Sequence, residues 1–359
     1  MGNKSSKVTT SHWGAFNVFV ENDKIINTEP FHADPAPPNI SELVPKAVHH
    51  SKRIDQPYVR KGWLEKHSTN TRGNDEYVPI SWEDATDLAA KELIRIKNDF
   101  GNETIFGGSY GWASAGRFHH SQSQLHRFLN SIGGYVSSYA SYSTGAAQAI
   151  IPHVLGLNFH KITWGEINSW SLIEKHTDNL IIFGGINPKN SQVSMGGSTE
   201  HDVSKHFNTF GKMGKNMISI SPQKDDSPKD TIWLPIMPGT DVALMLGIAH
   251  VLETEKLADQ LFLSKYCSGY ELFKQYFLGT DGHFAKTPEW ASAETGIDAS
   301  EIRKLARNMA SGRTLISVSW SLQRARYGEH PFWMACVLAA MLGQIGLPGG
   351  GIGFGYGAI

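Results

Sequence analysis

Three continuous apolar segments constrain the fold of this chain most strongly. They read NLIIFGG at residues 179–185, NMISISP at 216–222 and RTLISVSW at 313–320. Strands that are buried on both faces of a parallel sheet have such unbroken apolar runs, whereas strands with one wet face alternate apolar and polar residues. Helical stretches beginning at Asp241, Ala299 and Pro331 lie between and after them. The pattern predicts an α/β fold with a Rossmann-like, mostly parallel sheet over residues 151–345.

The loops that follow these strands are candidate ligand-binding segments. They read GGINPKN, SPQKDD and SLQRA, and they mix glycine, proline, amide and charged groups. In open α/β sheets, ligands bind in the crevice outside the carboxyl ends of the strands, so we expect a nucleotide-like crevice there. Neither G-x-G-x-x-G nor G-x-x-x-x-G-K-[ST] occurs, so a dinucleotide would have to be held by other loops.

The amino-terminal part has a different pattern. Residues 11–30 alternate apolar and polar around a turn at 21–23, which predicts a hairpin within a small β-rich domain over 1–50. A capping box at Ser81 opens an amphipathic helix that stops at Gly101, and the short strand TIFGG is expected next. These elements predict an α/β domain over 51–150. The end GGGIGFGYGAI, directly after a helix, predicts that 346–359 start a return segment and that the chain is truncated.

Composition excludes several classes of function. The chain has 33 Lys and Arg against 34 Asp and Glu, so no basic surface for nucleic acid is expected. No apolar run approaches the roughly 18 residues of a membrane helix, so no membrane insertion is expected. Cys267 and Cys336 are too few for the roughly four thiolates of an iron-sulfur cluster. The amino terminus shows no secretory signal, which predicts a cytoplasmic protein, or a periplasmic one if an export signal was lost by truncation.

Short motifs allow other interpretations. Ser109 stands in G-x-S-x-G after TIF, as the nucleophile of a serine hydrolase would, but no Asp or His partner is evident. His119, His120 and His126 could form a metal cluster, yet no carboxylate accompanies them. Gly2 matches a myristoylation pattern that often occurs by chance.

Two further segments, GGSYGWASAGR (107–117) and SYSTGAAQ (141–148), place hydroxyl and indole donors between small residues. A glycine-walled pocket with a few directed donors suits a bulky polar cofactor, although plain glycine-rich loops would look the same.

Seven motifs together resemble the dimethyl sulfoxide reductase family of molybdenum enzymes, in the branch that contains biotin sulfoxide reductase and trimethylamine N-oxide reductases. They occur in order along the chain and correspond to the amino-terminal half of a family member. The motifs are SHWGAF (11–16), YVRKGWLE (58–65), RGNDEYVPISWEDA (72–85), GGSYGWASAGR (107–117), SYSTGAAQ (141–148), PGTDVALMLGIAH (238–250) and GQIGLPGGG (343–351).

The resemblance implies one molybdenum held by two molybdopterin guanine dinucleotides, with no iron-sulfur cluster in this branch. Ser143 matches the serine whose oxygen binds the metal, and the metal's charge would keep that hydroxyl deprotonated. Tyr110 and Trp112 match a donor pair that orients the substrate oxygen. The cofactor-binding positions implied are Gly184, Gly185, Asn187, Ser221, Pro222, Gly239, Asp241, Ser321, Gln323 and Arg324. Ser221 and the INPKN segment depart from the commoner family pattern, so the resemblance supports guanosine contacts at these two loops less strongly than at the others.

The activity implied is oxygen-atom transfer. The substrate would lose an oxygen atom, and two electrons and two protons would convert that oxygen to water. It would be an S-oxide or N-oxide such as biotin sulfoxide, methionine sulfoxide, dimethyl sulfoxide or trimethylamine N-oxide. An electron-donor protein is then required, and a cytosolic one is favoured over a membrane-anchored cytochrome. The alternatives are a non-catalytic cofactor-binding fragment and a serine hydrolase that uses Ser109.

Overall fold

The computed structural model describes residues 4–66, 72–109, 120–139, 141–164, 167–193 and 200–357. Contacts divide these residues into two compact units. The amino-terminal unit comprises the described residues within 1–33 and 37–139, and the sheet unit those within 34–36, 140–194 and 200–359. The divisions at residues 50, 150 and 345 that the sequence suggested stay predictions.

The amino-terminal unit begins with an antiparallel sheet. Its strands, in the order β1-β2-β3, are β1 (Lys4–Ser11), β2 (Gly14–Glu21) and β3 (Lys24–Pro30). Asn22 and Asp23 join β2 to β3 with φ of 52° and 61°, as a two-residue hairpin turn requires. The predicted hairpin is therefore confirmed. Strand β1 was not predicted, because its sequence KSSKVTTS is mostly polar and the strand is exposed.

A second pair of strands and several helices complete this unit. Strand β4 (Tyr58–Arg60) pairs antiparallel with β5 (Tyr77–Pro79). The helices are α1 (Val44–Val48), α2 (Lys61–Lys66), α3 (Trp82–Phe100) and α4 (Ser121–Ser131). The predicted start of α3 is confirmed, because the Ser81 Oγ accepts a hydrogen bond from the Asp84 N–H at 3.0 Å.

The strand predicted at TIFGG is wrong. Residues Asn102–Thr104 form a turn of 3-10 helix, and Phe106 makes only an isolated parallel bridge to Val136. The Thr104 hydroxyl donates to the Gly101 carbonyl oxygen at 2.9 Å, and the Ile105 N–H donates to the Asn102 carbonyl oxygen at 3.0 Å. The Ile105 N–H is thus used within the turn. Within the described residues, the bonds of this segment to Val136 are limited to the Gly107 N–H donating to the Val136 carbonyl oxygen and the Val136 N–H donating to the Ile105 carbonyl oxygen.

The sheet unit contains a five-stranded parallel sheet, which confirms the predicted fold class. Its strands, in the order β10-β9-β6-β7-β8, are β6 (Asn179–Phe183), β7 (Asn216–Ile220), β8 (Ile232–Leu234), β9 (Thr314–Val318) and β10 (Gly351–Phe354). The chain runs from β6 outward to β8 and then returns to place β9 on the other side of β6. The strand order therefore reverses between β6 and β9, which is where such sheets bind ligands.

Helices cover both faces of this sheet. One core joins Phe183 and Ile316 to α9, α13 and α14, and a smaller core joins Leu180 and Ile182 to Phe210 of α8. The helices are α5 (Gly145–Leu155), α6 (Phe159–Trp164), α7 (Trp170–His176), α8 (Val203–Lys212), α9 (Asp241–Thr254), α10 (Gln260–Tyr266), α11 (Tyr270–Leu278), α12 (Pro288–Thr295), α13 (Ala299–Ala310) and α14 (His330–Met341). Within the described ranges, no helix combines the length and the apolar character needed to span a membrane.

We expect Phe183→Ala to lower the free energy of unfolding by about 3–5 kcal/mol, because the side chain is 0% exposed and its loss leaves a cavity in the larger core. Phe284→Ala is the matched control, since that ring is 84% exposed. Urea denaturation of both variants measures the effect. Equal small losses would contradict the assignment of Phe183 to the core.

Candidate functional site

The loops that follow β6 and β9 touch at the point where the strand order reverses. Gly184 has φ of 82°, and a Cβ there would collide with the side chain of Leu322 and lie 2.8 Å from the Cβ of Ser319. The Ser319 N–H also donates to the Phe183 carbonyl oxygen at 2.9 Å. Only glycine combines this backbone conformation with so close an approach. The structure therefore brings the predicted residues of these two loops together.

Asp226, which sequence reasoning missed, joins two of the predicted residues. Its carboxylate accepts hydrogen bonds from the Asn187 Nδ2 at 3.2 Å and from the Ser221 Oγ at 3.3 Å. A Cβ on Gly185, whose φ is 75°, would lie 2.6 Å from the Asp226 carbonyl oxygen. The loop after β7, with exposed Pro222 at its start, is thus fixed against the loop after β6. The acidic pair in SPQKDD was the available signal, but nothing in the sequence indicated its partners.

Gln323 connects the loop after β9 to the segment that carries Ser143. The Gln323 Oε1 accepts the backbone N–H groups of Ala146 at 3.0 Å and Ala147 at 3.4 Å, and its Nε2 donates to the Ser143 carbonyl oxygen. The side chain of Gln323 is buried, with 8% of the residue exposed. Ser143 itself is exposed, two residues before the start of α5.

A cavity of about 350 Å³ lies beside Ser143. Its lining residues are Ser141, Tyr142, Gly145, Ala146, Gln323 and Arg324. Arg324 is exposed, and the neighbouring Ser321 Oγ donates to the Ser319 Oγ at 3.0 Å. The cavity thus has a guanidinium, a phenol and the Ser141 hydroxyl in a lining whose accessible surface is mostly apolar. The guanidinium suits a ligand with a negatively charged group.

Gly239 and Asp241 lie at the amino-terminal end of α9. Gly239 has φ of 81° with no atom near its missing Cβ, so the turn requires glycine for its backbone alone. Asp241 is 8% exposed, and burial raises the pKa of its carboxyl to about 6. Within the described part of the chain, no other side chain donates a hydrogen bond to this carboxyl. Its carboxyl accepts a bond from its own backbone N–H and can accept further hydrogen bonds from a ligand.

The other predicted residues fall elsewhere. Tyr110, Trp112 and His119 lie outside the described residues. The Ser109 Oγ lies 3.0 Å from the Ser121 Oγ, so its neighbour in the described ranges is a hydroxyl and not the histidine of a hydrolase.

The remaining two histidines have structural contacts. His120 Nδ1 accepts the Ser123 N–H at 3.1 Å, which caps α4, and His126 Nε2 lies 3.0 Å from the Gly107 carbonyl oxygen. Across the residues that the structure describes, no group of three or more His, Cys, Asp and Glu could hold a metal ion. The histidine cluster thus gains no support from the described geometry.

Comparison with known families agrees with this arrangement. The family described as molybdopterin oxidoreductase matches residues 53–356, and the molybdopterin oxidoreductase N-terminal domain matches residues 9–49. The chain belongs to the molybdopterin oxidoreductase family. The resemblance to this group of enzymes that the sequence motifs suggested is therefore confirmed.

Individual relatives share about two fifths of its residues. The chain is 42% identical to biotin sulfoxide reductase of Cereibacter sphaeroides over 93% of its own length and 45% of that protein. It is 42% identical to trimethylamine-N-oxide reductase of Haemophilus influenzae, over 97% of this chain and 42% of the relative. A dimethyl sulfoxide/trimethylamine N-oxide reductase of Cereibacter sphaeroides is 39% identical, with coverage of 96% and 42%. The chain thus spans less than half the length of these curated relatives.

A solved structure has a similar fold. Acetylene hydratase from Pelobacter acetylenicus superposes with a TM-score of 0.62 and 23% sequence identity, over 93% of this chain and 43% of that protein. This likeness concerns the fold alone.

Membership in the family implies a molybdopterin cofactor with molybdenum, and the residues present fit such a group. The sheet presents a buried carboxyl without a side-chain donor at Asp241 and an exposed guanidinium at Arg324. The cavity beside Ser143 lies at the amino-terminal end of α5, where the helix dipole favours an anionic ligand, although the Ala146 and Ala147 N–H groups are themselves bonded to Gln323. These charged and polar groups suit the anionic and metal parts of a molybdopterin cofactor.

Asp241 gives the stability of the cofactor-free protein a specific pH dependence. Its folded pKa of about 6 exceeds the ordinary value of 3.8, so the folded state binds the proton more tightly. The contribution of Asp241 to the free energy of unfolding is fully present below pH 3.8 and decreases as the pH rises to about 6. Above that pH it is constant. We expect the stability of the wild type relative to Asp241→Asn to fall by up to about 3 kcal/mol across this interval. Urea denaturation at several pH values tests this, with exposed Asp55→Asn as the control; a pH-independent difference would contradict it.

The close approach of the strand-end loops predicts that Gly185→Ala is more costly than Gly214→Ala. Both glycines have positive φ, of 75° and 68°, so both variants carry about 1–3 kcal/mol of backbone strain. Only at Gly185 would the new Cβ also meet Asp226, whereas nothing lies within 4 Å at Gly214. Thermal unfolding should show the larger loss for Gly185→Ala, and equal losses would refute the contact with Asp226.

Proposed function

We propose that this protein is a molybdenum-dependent oxidoreductase that reduces S-oxides or N-oxides by oxygen-atom transfer. The observation that carries the proposal is the placement of Ser143 beside a cavity and next to the loop after β9, with its carbonyl oxygen bonded to Gln323 at the ligand-binding edge of the sheet. Relatives that share about 40% of its residues are named for the reduction of biotin sulfoxide, dimethyl sulfoxide and trimethylamine N-oxide.

The proposed cofactor is bis(molybdopterin guanine dinucleotide), with the Ser143 oxygen as the protein ligand of molybdenum. When bound, this group supplies the two-electron chemistry that removes oxygen from the substrate. The exposed Ser143 hydroxyl has to lose its proton to bind the metal, and a hard alkoxide oxygen suits high-valent molybdenum. We propose no iron-sulfur cluster in this chain, because its sequence contains only two cysteines.

The strand-end loops are the proposed binding surface for the dinucleotides. Asp241 would accept hydrogen bonds from the N1–H and amino group of guanine, for which its carboxyl has no competing side-chain donor in the described ranges. Arg324 would pair with a phosphate through its guanidinium. The further positions in this proposal are Gly184, Gly185, Asn187, Ser221, Pro222, Gly239, Ser321 and Gln323.

The substrate would be oriented by Tyr110 and Trp112, whose phenol and indole groups donate hydrogen bonds toward the oxygen that leaves. Those donors stabilise the charge that develops on oxygen as the S–O or N–O bond breaks. An electron-donor protein then has to return two electrons for each turnover.

A second candidate is a cofactor-binding module without activity of its own. The observation that favours it is the coverage of less than half of each relative named above. This second candidate would be identified if the protein bound molybdenum and pterin but reduced no S-oxide or N-oxide.

Replacement of Ser143 tests the proposed metal ligand. We expect Ser143→Ala to lower the reduction of dimethyl sulfoxide and trimethylamine N-oxide, with reduced viologen as donor, by about 100-fold or more, because the metal loses its protein oxygen ligand. Ser131→Ala is the control, since this exposed serine donates to the Phe128 carbonyl oxygen in its own helix and to no other group in the described ranges. Turnover and elemental molybdenum are measured together. Unchanged turnover with full molybdenum would rule out Ser143 as the ligand.

The hydrolase alternative has its own test. A serine-directed fluorophosphonate should leave Ser109 unlabelled. Within the described ranges, the Ser109 hydroxyl contacts the Ser121 hydroxyl and not a base that could activate it. Labelling at Ser109 with loss of an esterase activity would replace the proposed function.

A further inference from the structure

We propose that Gln323 is a positioning residue that holds the Ser143 oxygen in place relative to the dinucleotide-binding loop after β9. The inference rests on the proposed function, because it takes Ser143 as the metal ligand. The carboxamide of Gln323 bonds to three backbone groups within residues 143–147, about 180 residues away in sequence. Both of its polar atoms are engaged in this way, so the carboxamide fixes the Ser143 segment from its place on the proposed dinucleotide-binding surface.

The pattern of donors and acceptors requires an amide at this position. The Ser143 carbonyl oxygen needs a donor, which the Gln323 Nε2 supplies. The N–H groups of Ala146 and Ala147 belong to the first turn of α5 and need an acceptor, which the Oε1 supplies. A carboxylate could serve the two N–H groups but not the carbonyl oxygen.

Among the described residues next to α5, none replaces this cap. Thr144, at the N-cap position, makes no capping bond with its side chain, and its Oγ1 accepts from the Gln148 Nε2 at 2.9 Å. The body of α5 is fixed independently, because Ala147 and Ile151 are 0% exposed in the larger core. Loss of the Gln323 bonds would therefore leave Ser143 with the local bond from its N–H to the Ser141 Oγ at 3.1 Å, and would loosen the segment before α5 without removing the helix from the core.

Gln323 also links Ser143 to the place where a dinucleotide would bind. Its neighbour Leu322 packs at the site of Gly184, and its other neighbour Arg324 lines the cavity beside Ser143. Any ligand that fixes the loops after β6 and β9 thereby also fixes the residue that holds the Ser143 backbone. The orientation of the metal ligand is in this way coupled to the occupancy of the dinucleotide site.

The chain offers a matched control in Gln344. Its Oε1 accepts the Thr314 N–H at 2.6 Å, and its Nε2 donates to the Gly312 carbonyl oxygen at 2.8 Å. This carboxamide thus makes the same kind of double backbone contact, but at the amino-terminal end of β9 instead of the carboxyl end. If replacing such an amide has only a general structural effect, that effect should appear equally in the Gln323 and Gln344 variants.

The experiment compares Gln323→Glu with Gln344→Glu in the cofactor-loaded protein. For Gln323→Glu we expect unchanged molybdenum and pterin content, an altered Mo(V) electron paramagnetic resonance spectrum, and a kcat about 10–100-fold lower at similar KM. For Gln344→Glu we expect the wild-type spectrum and kcat. The thermal unfolding of both variants is measured to compare their stability. Gln323→Met, which keeps the side-chain length but forms no such bonds, serves if the glutamate variant does not fold.

Three results would overturn the inference: a wild-type spectrum and kcat in Gln323→Glu, a wild-type spectrum and kcat in Gln323→Met, or equal changes in the Gln323 and Gln344 variants. The Mo(V) spectrum of Ser143→Ala distinguishes failure of the positioning role of Gln323 from failure of the proposed function. If Ser143→Ala alters the spectrum but the Gln323 variants do not, the ligand stands and the positioning role is refuted. If Ser143→Ala leaves the spectrum unchanged, the ligand assignment itself is refuted.

Discussion

The contact between the loops after β6 and β9 is the constraint on which the rest of the site depends. Parallel pairing of these strands brings their carboxyl ends to one edge, and the two loops then approach so closely that Gly184 has no room for a side chain. From this contact the loop after β9 extends to Gln323, which holds the Ser143 segment. The sheet therefore positions Ser143, which lies nearly 40 residues before the start of β6 in the sequence.

The site also contains the carboxyl group of Asp241, whose burial does not favour the stability of the fold. Asp241 is buried at the start of α9, and burial raises the pKa of its carboxyl because the charged form loses solvation. Two other buried polar residues of the sheet unit, Thr177 and Asn179, make hydrogen bonds within the protein. An acceptor left available at the ligand-binding edge of a sheet is the arrangement expected where a ligand, rather than the protein, completes the hydrogen bonds.

Much of the fold could be predicted from the sequence. The central strands β6, β7 and β9 were evident because burial on both faces demands unbroken apolar runs, and the β2–β3 turn was evident because Asn22 and Asp23 tolerate positive φ. Strands β8 and β10 were not predicted, since they are short and β10 reads GIGF, with little strand propensity of its own. The error at TIFGG had a similar origin, because local turn bonds outweighed a weak strand pattern.

The sequence by itself determined the fold class, the family and the candidate residues, because these depend on local apolar patterns and on ordered motifs. Only the tertiary structure decided how those residues are held: it made Asp226 the acceptor for Asn187 and Ser221, and Gln323 the cap of α5. The reason is physical. A carboxamide or carboxylate forms its hydrogen bonds with whichever groups the folded chain brings within about 3 Å, and those groups are set by strand order rather than by neighbours in sequence.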